Sequence, residues 1–190
     1  MEYLVILIGA IFVNNIVFAQ FLGICPFLGV SKKLDTALGM GAAVTFVMVL
    51  AVLVTFGLQK GILDPNNLGY LQNVVFILVI AALVQMLESV LKKVSPALFQ
   101  ALGIYLPLIT TNCVILGVAI LVIQKDYNLS QAMMYAFSTG IGYTIAISLF
   151  ATIREQLAKT DLPKAMQGIP AALLVAGMLS LAFMGFTGVV

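Results

Sequence analysis

The chain has 190 residues, 63% of them hydrophobic and only 8% charged, with a net charge of +2 at pH 7. A soluble globular domain is excluded, because apolar runs of this length must face lipid, and a spanning helix needs about 20 such residues. The absence of histidine and tryptophan also excludes histidine catalysis and the commonest zinc constellations.

Six spans are predicted, near residues 3–23, 37–59, 71–91, 98–124, 131–152 and 168–189. Span one follows Met1-Glu2-Tyr3, which carries an acid and no basic cluster, so a cleaved secretory leader is not expected. It holds Asn14, Asn15 and Gln20, whose amides are costly in hydrocarbon unless partnered. They serve either helix–helix hydrogen bonding or, for Asn15, the freed backbone of a break. Span one ends in Gly23-Ile24-Cys25-Pro26. Pro26 disfavours helix at Cys25 and removes a donor, so a break is expected there.

Small residues in span two, Gly39-Met40-Gly41-Ala42-Ala43, and in span five, Gly140-Ile141-Gly142, suit close helix packing. Near the end of span three, Glu88 precedes Lys92 by four residues. This spacing suits an interfacial helical ion pair; an acid in a membrane helix can also lie on an ion or proton path. Span four contains Pro107-Leu108-Ile109-Thr110-Thr111-Asn112-Cys113. A proline without its donor, then three polar side chains able to replace backbone partners, point to a second break with Cys113 exposed at it.

The separators carry nearly all the charge. Loops one, three and five hold Lys32, Lys33, Lys92, Lys93, Arg154, Lys159 and Lys164, whereas loops two and four hold only Lys60 and Lys125. This bias places the odd loops in the cytoplasm and both termini outside. Three spans on each side of loop three make one integral membrane domain of two halves, about 1–95 and 98–190. The fold expected is all-α, two inverted three-helix repeats with interrupted helices one and four, and with sites at the interruptions. Faint echoes agree with it: Val13-Asn14-Asn15-Ile16-Val17 with Thr111-Asn112-Cys113-Val114, and Gly39-Met40-Gly41 with Gly140-Ile141-Gly142.

Cys25 and Cys113 are the only thiols, and four roles compete for them. They can be small buried hydrophobes, or a disulfide if their separation allows. Structural zinc needs four nitrogen or sulfur ligands. An iron–sulfur cluster is usually held by four thiolates, so two more would have to come from a second chain.

Three stretches resemble the A-subunit family of Rnf electron-transport complexes. They are Phe21-Leu22-Gly23-Ile24-Cys25-Pro26-Phe27-Leu28-Gly29-Val30-Ser31-Lys32-Lys33, Leu102-Gly103-Ile104-Tyr105-Leu106-Pro107 through Thr110-Thr111-Asn112-Cys113, and Leu181-Ala182-Phe183-Met184-Gly185-Phe186-Thr187-Gly188. The sodium-pumping NADH:quinone reductases contain related D and E subunits. The resemblance implies a subunit of a bacterial inner-membrane complex that moves electrons between ferredoxin and NAD, coupled to sodium or proton movement. It also implies a [2Fe-2S] cluster shared with a similar, oppositely oriented E-type subunit, with Cys25 and Cys113 as two of the ligands. Asn15, Pro26, Pro107, Thr110, Thr111 and Asn112 would then shape the breaks around it. Flavins would belong to sibling subunits, among the B, C, D and G types. No nucleic-acid partner is expected. The competing expectation is an inverted-repeat ion or small-solute transporter with structural cysteines.

Overall fold

A computed structural model describes residues 2–31, 34–66, 69–94, 106–160, 163 and 167–186. Among these residues every regular element is helical. Helix α1 (Glu2–Ile8) runs into a π-helical turn over Gly9–Val13, and α2 (Ile24–Val30) follows an irregular stretch. Helix α3 (Leu34–Leu58) also ends in a π-helical turn, Gln59–Leu63, and short turns lead to α4 (Gln72–Val94). Then come α5 (Leu106–Thr110), α6 (Cys113–Gln124), α7 (Leu129–Leu157) and α8 (Ile169–Met184).

Four segments are long and apolar enough to cross a membrane: Leu34–Leu63, Gly69–Val90, Pro107–Gln124 and Leu129–Leu157. The shorter apolar helices Tyr3–Val13 and Ile169–Met184 complete six apolar helical segments. Their order matches the six expected spans, but the extent of span one does not. Its helix stops at Val13, well short of the expected end at residue 23, and the chain turns irregularly until α2. The part of span four before Leu106 lies outside the described residues, as does the end of span six after Phe186.

The core is organised on the pairing of α3 with α7. Met40, Val44, Met48 and Ala51 of α3 and Tyr143, Ala146, Ile147 and Phe150 of α7 are all fully buried. The two helices meet through reciprocal glycines. A Cβ on Gly41 would stand 2.6 Å from Thr144 Oγ1, and one on Gly140 would stand 2.5 Å from the Thr45 methyl. Each threonine donates its hydroxyl to the glycine four residues earlier in its own helix, Thr45 to Gly41 O at 2.7 Å and Thr144 to Gly140 O at 2.8 Å. The polar atom is thus satisfied within its helix while the side chain fills the facing notch. The structural counterpart of Gly41 is therefore Gly140, two residues away from the alignment that sets Gly41 against Gly142; Gly39 meets nothing within 4 Å. Outward-facing Leu38, Phe46 and Leu53 on α3, Val74, Ile77 and Leu78 on α4 and Leu173, Leu174 and Leu181 on α8 leave an apolar exterior.

Candidate functional site: two crossed helix breaks

The first break spans Asn14–Gly23 and contains two residues at positive φ, Phe21 at 55° and Gly23 at 81°. Backbone freed at membrane depth has to find partners within the protein, and here it does. Buried Asn15 is the hub. Its Oδ1 accepts from Val17 N at 3.1 Å, and its Nδ2 donates to Ile11 O and to Gly142 O, both at 3.0 Å. Ser180 of α8 donates to Phe18 O at 2.8 Å. Ala19 N and Leu22 N reach Asn15 O and Ile16 O at 2.8 and 3.2 Å.

The second break is shorter. Helix α5 stops at Thr110, and Thr111 donates its hydroxyl to Pro107 O at 2.9 Å. Asn112 then caps α6, its Oδ1 accepting from Val114 N at 3.1 Å. The same acceptor reaches the backbone two residues on in both breaks, Asn15 to Val17 and Asn112 to Val114. The echo between these two stretches is therefore repeated in local geometry.

The breaks touch. Gly23 N donates to Cys113 Sγ at 2.8 Å, and Leu22 lies against Gly117 of α6, where an added Cβ would come within 2.8 Å of Leu22 Cδ1. A Cβ on Gly23 would overlap a Val114 methyl and approach the Tyr143 ring to 3.1 Å, so both backbone conformation and space require glycine. Cys113 is the first residue of α6 and half-buried; Cys25 is the second residue of α2, two positions beyond Gly23, and exposed. Both thiols are free. Among the described residues no three His, Cys, Asp or Glu side chains converge. Close to Cys113, buried Tyr143 Oη lies next to the Asn112 amide, though the pair makes no hydrogen bond of good geometry.

Several expectations need correction. The first break lies before Cys25, not at it. Cys25 and Pro26 both belong to α2, and buried Pro26 is its third residue, where the missing N–H has no intrahelical acceptor to lose. The second interruption, in contrast, falls at Thr111–Asn112, after Pro107 and just before Cys113 as expected; the residues before Leu106 lie outside the described ones. Arg154 is not a loop anchor. It sits in the last turns of α7, donating to Leu28 O at 2.7 Å and Ser31 Oγ at 2.9 Å at the C-terminal end of α2. Lys32, Lys33 and Lys164 lie outside the described residues. Thr110 is half-buried next to the second break, and Glu88 is half-buried on α4, the helix that packs on α5 and α6.

Four contributors are absent from the sequence-based expectations: Tyr143, the Gly142 carbonyl, Ser180 and the α2 contact of Arg154. Ser180, a hydroxyl within an apolar run, carried a visible signal. Gly142 was visible as a close-packing residue, and a Cβ there would stand 3.2 Å from Ala10 O and Ile11 Cα, but that its carbonyl oxygen accepts from Asn15 is something no side-chain pattern announces.

The sequence profile of the family described as "Rnf-Nqr subunit, membrane protein" matches residues 3–190. The chain belongs to this family. Among curated relatives of this Rnf-Nqr chain, the A subunit of the Na(+)-translocating ferredoxin:NAD(+) oxidoreductase complex of Acetobacterium woodii is 57% identical over 188 residues, covering 99% of this chain and 98% of that protein. The A subunit of the ion-translocating oxidoreductase complex of Syntrophotalea carbinolica is 57% identical over 187 residues, with 98% and 97% covered. Its counterpart of the same name from Escherichia coli O139:H28 is 52% identical over 189 residues, with 100% and 98% covered. A multi-pass membrane protein is what the family and the apolar helices both describe.

Proposed function

We propose that this chain is the A-type subunit of a bacterial inner-membrane, ion-translocating ferredoxin:NAD oxidoreductase. Cys25 and Cys113 give two of four thiolates to a [2Fe-2S] cluster, and an oppositely oriented E-type subunit gives the other two. The two halves of the chain are inverted repeats, both termini face outward, and electron flow is coupled to sodium or proton movement. B, C, D and G-type subunits complete the complex.

One observation carries this reading: the contact of the two breaks, which places Cys113 Sγ on the Gly23 N–H two residues from Cys25. The donor set fits an iron–sulfur centre. Both thiols are free and neither is enclosed by its own chain. The Cys113 sulfur accepts a backbone N–H at 2.8 Å, the role a ligating thiolate has. It also stands at the N-terminus of α6, where freed N–H groups favour negative charge. A cluster held there would supply one-electron transfer inside the bilayer. The chain's own residues do the rest: Asn15 and Asn112 hold the two breaks open, and Gly23 lets them approach. Hydrogen bonds to sulfur set the potential of such a centre. Gly23 N makes one, and Tyr143 Oη is a second donor near the same sulfur, with the Asn112 amide next to it.

The test is iron and acid-labile sulfide analysis with electron paramagnetic resonance on the purified complex. Cys25→Ser and Cys113→Ser should each abolish the signal of one cluster while the complex still assembles. A signal unchanged in both variants would leave a transporter with structural cysteines as the better description.

A further inference from the structure

A second polar locus lies away from the cysteines, where α3 and α6 end. A cavity of about 80 Å3 opens there between Gln59, Lys60, Asp64, Val122, Ile123 and Asp126. Gln59 is only 8% exposed. Its Nε2 donates to Asp64 Oδ1 at 2.7 Å, which fixes the amide's sense because a carboxylate only accepts. Gln59 Oε1 is left buried without any donor. An acceptor in this position costs free energy until something positive or a donor reaches it.

The neighbours are acceptors too. Asp64 and Asp126 line the cavity, and among the described residues neither is ion-paired with the adjacent lysines. Lys60 lies over the Phe56 ring at 5.0 Å, and Lys125 over the Tyr135 ring at 5.0 Å. The C-terminal turn of α6 supplies Val122 and Ile123, and a helix C-terminus attracts positive charge. Carboxylate and amide oxygens with no sulfur or imidazole suit a hard cation.

We propose that Gln59, Asp64 and Asp126 form a site for a hard cation such as sodium or calcium, outside the cluster region. By the charge bias of the loops it faces the outer side, since loops two and four carry these residues. The cavity has room for a cation with one or two waters, because a water occupies about 30 Å3.

Equilibrium binding of radioactive sodium and radioactive calcium to the purified, resting complex tests this. The wild type should show a saturable binding component that weakens about tenfold or more in Gln59→Met, where the amide oxygen is gone, and in Asp126→Asn, because affinity at oxygen sites follows ligand charge. Gln59→Glu should keep or tighten binding. Asp126 is exposed and at a φ of 50°, a conformation that asparagine also tolerates, so its variant keeps the fold even if a Gln59 variant does not. Loss of sodium binding identifies a monovalent site and loss of calcium binding alone a divalent one. Equal affinity and stoichiometry for both ions in wild type and Asp126→Asn would overturn the proposal and leave water as the occupant. No electron transfer is needed, so failure of the iron–sulfur reading would not disturb the result.

Discussion

Asn15 and Asn112 accept the same bond from the N–H two residues on, Asn112 as a helix cap and Asn15 within a turn, but with different degrees of satisfaction, and this sets how each should respond to substitution. Asn15 makes three hydrogen bonds, one of them to α7, whereas the Asn112 amide nitrogen makes none of good geometry and has only the Tyr143 hydroxyl beside it. Truncating Asn112 to alanine removes one cap, worth about 1 kcal/mol. Truncating Asn15 removes the turn bond to Val17 N and two further bonds in a dry interior, so about 2–3 kcal/mol is expected. Thermal survival of the purified complex should therefore fall more for Asn15→Ala than for Asn112→Ala; the reverse order would show that Asn112 Nδ2 holds something essential. Gly23→Ala should be harsher than either. A left-handed alanine costs about 1–2 kcal/mol, and its methyl is also forced against Val114 and Tyr143. Loss of assembled complex on blue native gels is the expected outcome. These positions were legible to unequal extents. Asn15, Asn112 and both cysteines stand out as polar or reactive groups in apolar runs. The break itself was misplaced because its strain sits on Phe21 and Gly23, and the proline next to Cys25 signalled the start of a helix instead.

At the scale of elements, α2 is seven residues long, too short to persist alone, since isolated helices under about 12–15 residues are marginal. It is held at one end by the Gly23–Cys113 contact and at the other by Arg154 on Leu28 O and Ser31. The guanidinium also meets the negative end of α2, which favours it. Arg154→Met should cost about 1.5 kcal/mol, the low end for bonds to a charged group because Arg154 is only half-buried. Hydrogen exchange should rise over 24–31 and nowhere in α3; unchanged protection there would mean that packing of Phe27 on Phe150 alone secures α2. The α3–α7 pair admits a cleaner cycle. Gly41→Ala should destabilise by about 1–3 kcal/mol through overpacking against Thr144, and Thr144→Gly in the same chain should recover part of that loss, as expected of residues in contact. Additive losses would place the strain elsewhere. The glycine pairs were visible as packing signals, but their register was not, because Gly39 and Gly41 look alike in sequence and only the facing threonine distinguishes them. Arg154 was read as a loop charge for a related reason: helix α7 continues to Leu157, past the end of its apolar run.

At the scale of the whole molecule, the two breaks meet where α3 and α7 cross α6 and the irregular first segment. An inverted pair of halves predicts such a meeting, since each half brings one interrupted segment to a shared midplane. The repeated Asn-to-backbone bonds and the reciprocal Gly–Thr notches support the same relation. The proposed orientation rests on charge: seven lysine and arginine residues in the odd loops against two in the even ones. Moving Arg154 into α7 does not alter that bias, because it still sits at the same end of span five as Lys159. Single cysteines placed at Asp126 and Lys159, both exposed, should therefore react with a membrane-impermeant maleimide from opposite sides of intact cells and inverted vesicles. Asp126→Cys should label from outside and Lys159→Cys from the cytoplasmic side, above the background of the two native thiols. Labelling of both from one side would break the parity that makes the second half enter the membrane inverted, and with it the reason for two half-sites to face each other.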